Sequence, residues 1–158
     1  MTLNEVVTDR EIVIDRVVKA PRELVWKAWT ELHHLERWWG PNGCTTTTHE
    51  IEVRPGGVWR FIMHGPDGTD YRNRIMFREV TPPERLVYAH DDDGEGVSSG
   101  FLTTVTFRDV GGKTQVTMRG LFPSKAERDR VVDEYGAIEG GRQTLARLAE
   151  YVSQMRPA

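Results

Sequence analysis

From Tyr71 to Arg78 the arginines at 72, 74 and 78 fall on one side of the chain, and Tyr71, Asn73, Ile75 and Phe77 fall on the other. A period of two is the signature of a β-strand. A strand with one polar and one apolar face belongs to an antiparallel sheet with one side in water. Trp59, Phe61 and Met63 alternate with Arg60 in the same way. Phe101, Thr103, Val105 and Phe107 make a further inward row, and Val116 with Met118 a shorter one. Glu11 to Val18, Thr45 to Val53 and Arg85 to His90 read as the remaining strands. Between these runs stand Pro55-Gly56-Gly57, Pro66-Asp67-Gly68, Pro82-Pro83, Gly94-Glu95-Gly96 and Gly111-Gly112. Turn residues at such short intervals predict a meander of hairpins.

A sheet with one apolar face needs a cover. After the first strand, Ala20-Pro21 opens a helix with Pro21 at its first position, where the missing N–H costs nothing. Val25, Ala28, Trp29 and Leu32 follow at helical spacing. A second short helix carries Leu35, Trp38 and Trp39 and stops at Gly40-Pro41. Ser124-Lys125-Ala126-Glu127 is a capping-box pattern, in which Ser124 accepts from the Glu127 N–H and Glu127 reaches back. Val131, Tyr135, Ile138, Leu145, Leu148 and Val152 then form one stripe, which predicts a single long C-terminal helix as the cover. The fold class is α+β: a curved antiparallel sheet wrapped around that helix.

A chain of 158 residues fits one domain, 1–158, with its core at about 10–152. It buries ~70% of the surface its unfolded form exposes, enough for a core without disulfides or metal. The single cysteine, Cys44, permits no internal disulfide and suits a reducing compartment. Met1 to Arg10 is polar and lacks a signal-peptide core, so a cytoplasmic protein without membrane association is expected. A formal net charge of -3 argues against nucleic acid as a partner.

The ordered set of motifs resembles the START/birch-pollen-allergen-like (SRPBCC) superfamily, and within it proteins similar to the C-terminal domain of the activators of the 90-kDa heat-shock protein ATPase. The resemblance rests on Ala20-Pro21-Arg22-Glu23-Leu24-Val25-Trp26, Trp38-Trp39-Gly40-Pro41, Pro55-Gly56-Gly57 with Trp59-Arg60-Phe61, Gly65-Pro66-Asp67-Gly68, Glu79 to Leu86, and Thr144 to Tyr151. It implies a helix-grip architecture with a cavity between sheet and C-terminal helix. Similar proteins often carry Gly-Trp where this chain reads Gly140-Gly141. The second glycine implies extra room for a ligand, close approach of another backbone, or space filled by a neighbouring aromatic such as Trp59 or Phe61. On the first alternative Gly141→Trp should stabilise the free protein and abolish ligand uptake.

No catalytic or metal motif stands out. Cys44 and His49 are expected on opposite faces of a strand, and His33 and His34 are expected to diverge on their helix. Asp91, Asp93 and Glu95 open like an EF-hand loop, but its twelfth position would be Leu102, where a bidentate glutamate is required. No metal and no cofactor are therefore expected. Gly94-Glu95-Gly96 is not followed by the helix of a dinucleotide site. Ser98-Ser99 sit beside no evident base.

A ligand site remains. The expected lining is Trp59, Phe61, Met63, Tyr71, Asn73, Ile75, Phe77, Tyr88, Phe101, Thr103, Val105, Met118, Tyr135, Ile138 and Gly141, around a small, largely apolar molecule. His90 and Tyr71 are the candidates for acid/base chemistry. A binding module is favoured. A cyclase- or dehydratase-type enzyme and a chaperone-associated domain are the alternatives, although a chaperone partner is not expected. The Thr-rich strand Thr45 to Val53 reads as an exposed edge or a homodimer contact.

Overall fold

The computed structural model describes residues 9–91 and 101–155, with the side chains of residues 91, 134 and 135 excepted. The Gly94-Glu95-Gly96 turn, Asp93, Ser98-Ser99 and the Tyr135 side chain lie outside the described residues. The elements run β1 (Glu11–Val18), α1 (Arg22–Thr30), α2 (Leu32–Trp38), β2 (Thr45–Ile51), β3 (Val58–His64), β4 (Asp70–Thr81), β5 (Arg85–Asp91), β6 (Leu102–Val110), β7 (Lys113–Leu121), α3 (Lys125–Tyr135) and α4 (Ala137–Ser153). The strands form one sheet in the order β1-β7-β6-β5-β4-β3-β2. Every pairing is antiparallel. Only β1, laid beside β7, departs from the meander, and β2 is an edge as its composition suggested.

Alternation sorts the faces. Ile75 and Phe77 are buried while Arg72 and Arg78 are exposed. Trp59 and Phe61, Leu86 and Tyr88, Thr103, Val105 and Phe107, and Val116 supply the inward rows of the other strands. Two helical layers cover this face. Leu145, Leu148 and Val152 of α4 are buried against it, and α1 and α2 bring Val25, Ala28, Trp29, Leu35 and Trp38. Trp26 and Trp29 meet Phe107 edge-on at 5.3 and 5.7 Å. Trp38 donates through Nε1 to the Ala28 carbonyl at 2.9 Å. That carbonyl is among the last four of α1, which have no partner within their own helix.

Four local expectations change. Pro21 is the N-cap of α1 in extended backbone (φ -69°, ψ 154°), one residue before the helix rather than its first residue. The C-terminal helix is two helices, because Gly136 adopts φ 59°, a left-handed conformation that ends α3 and starts α4. Glycine takes that conformation without the Cβ penalty. The capping box is half formed. The Glu127 N–H reaches Ser124 Oγ at 3.1 Å, but the Glu127 carboxylate turns forward to Arg130, with Nη2–Oε2 at 2.5 Å. The long edge strand also stops at Ile51, two residues short of Val53.

Arg147 of α4 ties the helix to the loop between α2 and β2. Its Nη1 donates to the carbonyls of Gly40, Pro41 and Cys44 at 2.9, 2.8 and 3.2 Å. A charged donor makes stronger hydrogen bonds than a neutral one. The staple therefore fixes the segment carrying Trp39, Gly40 and Pro41. Among the described residues, no helix is long and apolar enough to cross a membrane.

Candidate ligand cavity

The inward rows are divided along their length. At one end α1 and α2 drive tryptophans onto the sheet and leave a solid core. Trp59 stacks on Phe61 at 4.0 Å and donates through Nε1 to Thr48 Oγ1 at 3.0 Å. Ile75, Phe77 and Val105 are buried in the same core. At the other end the rows outrun α1 and α2 and line a partly open cavity of about 210 Å³. Trp39 stands on the boundary, lining the cavity and meeting Trp59 edge-on at 5.0 Å.

Of the residues expected to bind a ligand, the structure brings together Phe61, Met63, Asn73, Tyr88, Phe101, Thr103, Met118 and Gly141 around this cavity, with His90 among them. It places Trp59, Ile75, Phe77 and Val105 in the packed half instead. Tyr71 is 38% exposed, because β4 has run past the covered part of the sheet by its first residues. Ile138 packs against the core from α4 without reaching the cavity lining. The sequence reading missed Ile12 and Ile14 of β1, the Trp39-Gly40-Pro41 corner, Gly120 and Phe122 at the end of β7, and Ala137 and Thr144 of α4. Ile12 and Ile14 continue the period of two, and that signal was available.

The space beside Gly141 is taken by an aliphatic side chain. A Cβ built on Gly141 would overlap Ile14 Cδ1 and lie 3.5 Å from Met118 Cε. The glycine lets α4 settle against β1. The position is not open room, and neither Trp59 nor Phe61 fills it; what approaches it is the Ile14 side chain of β1. The expectation that Gly141→Trp stabilises the protein is therefore reversed.

Among the described residues the lining contains no Lys, Arg, Asp or Glu. Its polar groups are few, and several are already engaged. The Asn73 amide donates to the Tyr71 carbonyl at 3.0 Å, and Thr144 Oγ1 donates to the Gly140 carbonyl at 2.8 Å. Tyr88 is buried, and desolvation raises its phenol pKa above the ordinary value, so it stays neutral. His90 lies in a stack of near-parallel rings, 4.2 Å from Phe101, which is in turn 4.6 Å from Phe122. Its Nδ1 is buried with no hydrogen-bond partner among the described residues.

Burial lowers the His90 pKa from its ordinary 6.5 to about 4. Between these values the unfolded chain binds the proton and the folded protein does not, so stability rises with pH there. This contribution is fully present above pH 6.5 and is lost as pH falls towards 4. At ~1.4 kcal/mol per pKa unit the loss comes to about 2–3 kcal/mol, with the solvent-reached edge of the ring trimming it. Urea melts at a series of pH values should show His90→Phe with a shallower decline over this window. An unchanged decline would assign it to other groups.

His33 and His34 do not diverge as expected. Their rings sit 3.9 Å apart, tilted by 39°. Together with Glu31 they place three potential ligand atoms within 4.8 Å of one another at the surface. His34 Nδ1 is 2.6 Å from the Tyr151 hydroxyl, which links α2 to α4.

The sequence matches the family described as "Activator of Hsp90 ATPase homolog 1-like protein" over residues 19–153. No curated protein matches it. Among solved structures, a protein of Nitrosomonas europaea superposes with a TM-score of 0.83 at 23% identity, covering 94% of this chain and 97% of that one. A protein of Arthrobacter aurescens gives 0.83 at 27% identity, covering 93% and 88%. A protein of Mycobacterium smegmatis gives 0.82 at 24% identity, covering 94% of each.

Proposed function

The chain belongs to the Activator of Hsp90 ATPase homolog 1-like family, and from that premise we propose that it binds a small, largely apolar molecule in the cavity between its sheet and α4. The observation that carries this reading is the cavity of about 210 Å³ lined by Ile12, Ile14, Phe61, Met63, Phe101 and Met118 with few polar groups between them. Ligand sites are generally apolar hollows with a small number of placed polar groups. Water held in such a hollow needs two to four polar partners, and the lining supplies few, so an apolar guest suits it better than water does.

Trp39 lines the cavity, so intrinsic fluorescence reports its occupancy. Titration with toluene should give a saturable change with one site per chain, and a rise in melting temperature that follows ligand concentration. Absence of both up to the solubility limit of toluene would overturn the reading.

A further inference from the structure

Where α2 meets α4 at the surface, three side chains with metal-ligating atoms converge. Glu31 is the one residue between α1 and α2, and its extended backbone leads into the first turn of α2, which carries His33 and His34. Glu31 Oε1 lies 4.0 Å from His33 Nε2 and 3.7 Å from His34 Nε2. All three ligand atoms fall within 4.8 Å of one another. A triangle of these sides has a centre ~2.5 Å from each corner, so side-chain shifts of ~0.4 Å bring an ion to the ~2.0–2.2 Å of zinc–nitrogen and zinc–oxygen bonds. His33 and Glu31 are free to make that shift, with side chains 73% and 44% exposed. His34 is already oriented. Its Nδ1 is 2.6 Å from the Tyr151 hydroxyl of α4, and its Nε2 faces Glu31. Metal-binding histidines generally engage their second nitrogen in this way, which fixes tautomer and ring direction.

We propose that Glu31, His33 and His34 bind one Zn²⁺ ion, with Tyr151 as the positioning residue behind His34 and water filling the remaining coordination. Two histidines and one glutamate beside an open position are a recurring zinc ligand set. The donor set also selects the metal. Imidazole nitrogen suits Zn²⁺, whereas Mg²⁺ and Ca²⁺ require several oxygen donors, and this cluster holds one carboxylate. Lys27 and Arg37 act on His34 from nearby, so attraction by charge alone is weak and the bonds to nitrogen carry the affinity. The bound ion ties the corner between α1 and α2 to α4 through His34 and Tyr151. This site is separate from the cavity, and neither proposal depends on the other.

The test titrates the untagged protein with ZnCl₂ and MgCl₂ by isothermal titration calorimetry. One Zn²⁺ per chain should bind, and Mg²⁺ should give no saturable heat. Loss of an outer partner of a metal ligand commonly costs about 10–100-fold in affinity, so Tyr151→Phe should weaken Zn²⁺ binding about tenfold. Loss of a ligand itself, in Glu31→Gln or His33→Ala, should cost at least as much. Both of these variants change exposed side chains, so their metal-free melts should match the parent's. His64 serves as the control, because it is held elsewhere by Thr47 Oγ1 and Asp70 Oδ1 at 2.8 Å each. His64→Ala should leave Zn²⁺ affinity unchanged. In the parent, imidazole ¹⁵N spectra should show Zn²⁺ on Nε2 of His33 and His34 and a retained proton on His34 Nδ1, which a merely structural contact with Tyr151 does not require. Absence of saturable Zn²⁺ binding, unchanged affinity in Glu31→Gln or in His33→Ala, or loss of binding in His64→Ala would overturn the site. Zn²⁺ on His34 Nδ1, or unchanged affinity in Tyr151→Phe, would overturn the positioning role of Tyr151.

Discussion

Replacing Trp38 by alanine is expected to destabilise the protein by about 4–8 kcal/mol, enough to leave it partly unfolded at room temperature. Two effects add. Truncating a buried aromatic to alanine costs ~3–5 kcal/mol through lost contacts and the cavity left behind. Trp38 is fully buried and meets Trp29 and Trp39 edge-on at 4.9 and 5.6 Å. The indole N–H also satisfies the Ala28 carbonyl at the end of α1. Left alone in the core, that carbonyl costs a further ~1–3 kcal/mol. For a domain of this size each kcal/mol moves the melting temperature by ~2–4 °C. Trp38→Phe keeps most of the volume and loses the donor, so it should cost only about 1–3 kcal/mol. Thermal and urea melts of the two variants separate packing from the hydrogen bond. An alanine variant within about 1 kcal/mol of the parent would mean that α1 and α2 are not locked through this residue.

Trp38 illustrates how far the sequence carries. Its place on an apolar helical stripe was legible, as were the seven strands, their inward rows and the edge position of β2, because period and turn chemistry act over a few residues. What was not legible depends on where elements end against one another. Phe61 and Ile75 share the same alternation, yet one reaches the cavity and the other sits in solid core. The difference is set by how far α1 and α2 extend over the sheet, which no strand pattern records. Tyr71 obeys its row and is still exposed, for the same reason. The break at Gly136 is a local signal that the continuous apolar stripe masks. The stripe survives the break because α3 and α4 both pack on the core, through Val131 in one and Leu145, Leu148 and Val152 in the other.

Gly141 is the position where the same limit has the largest functional consequence. Glycine in a helix reads as room, since it is ~1 kcal/mol worse than alanine there and needs a reason. The reason is Ile14, which β1 directs at the same point of α4. Register between a strand and a helix distant in sequence decides this, and neither segment shows it alone. Gly141→Trp should accordingly destabilise the protein by about 3 kcal/mol or more through overpacking, because its Cβ already collides with Ile14 and the indole must push α4 off β1 or enter the cavity. Either result should abolish toluene binding. Gly141→Ala is a gentler probe. Its methyl overlaps only the terminal carbon of a flexible side chain, so the strain offsets the ~1 kcal/mol gain in helix propensity and the net change should be small. Ile14→Val removes that carbon, and in this background Gly141→Ala should recover about 1 kcal/mol of stabilisation. A double-mutant cycle by urea denaturation measures the coupling directly. Zero coupling, or a Gly141→Trp variant more stable than the parent, would mean that the space beside Gly141 is open and that Ile14 does not occupy it.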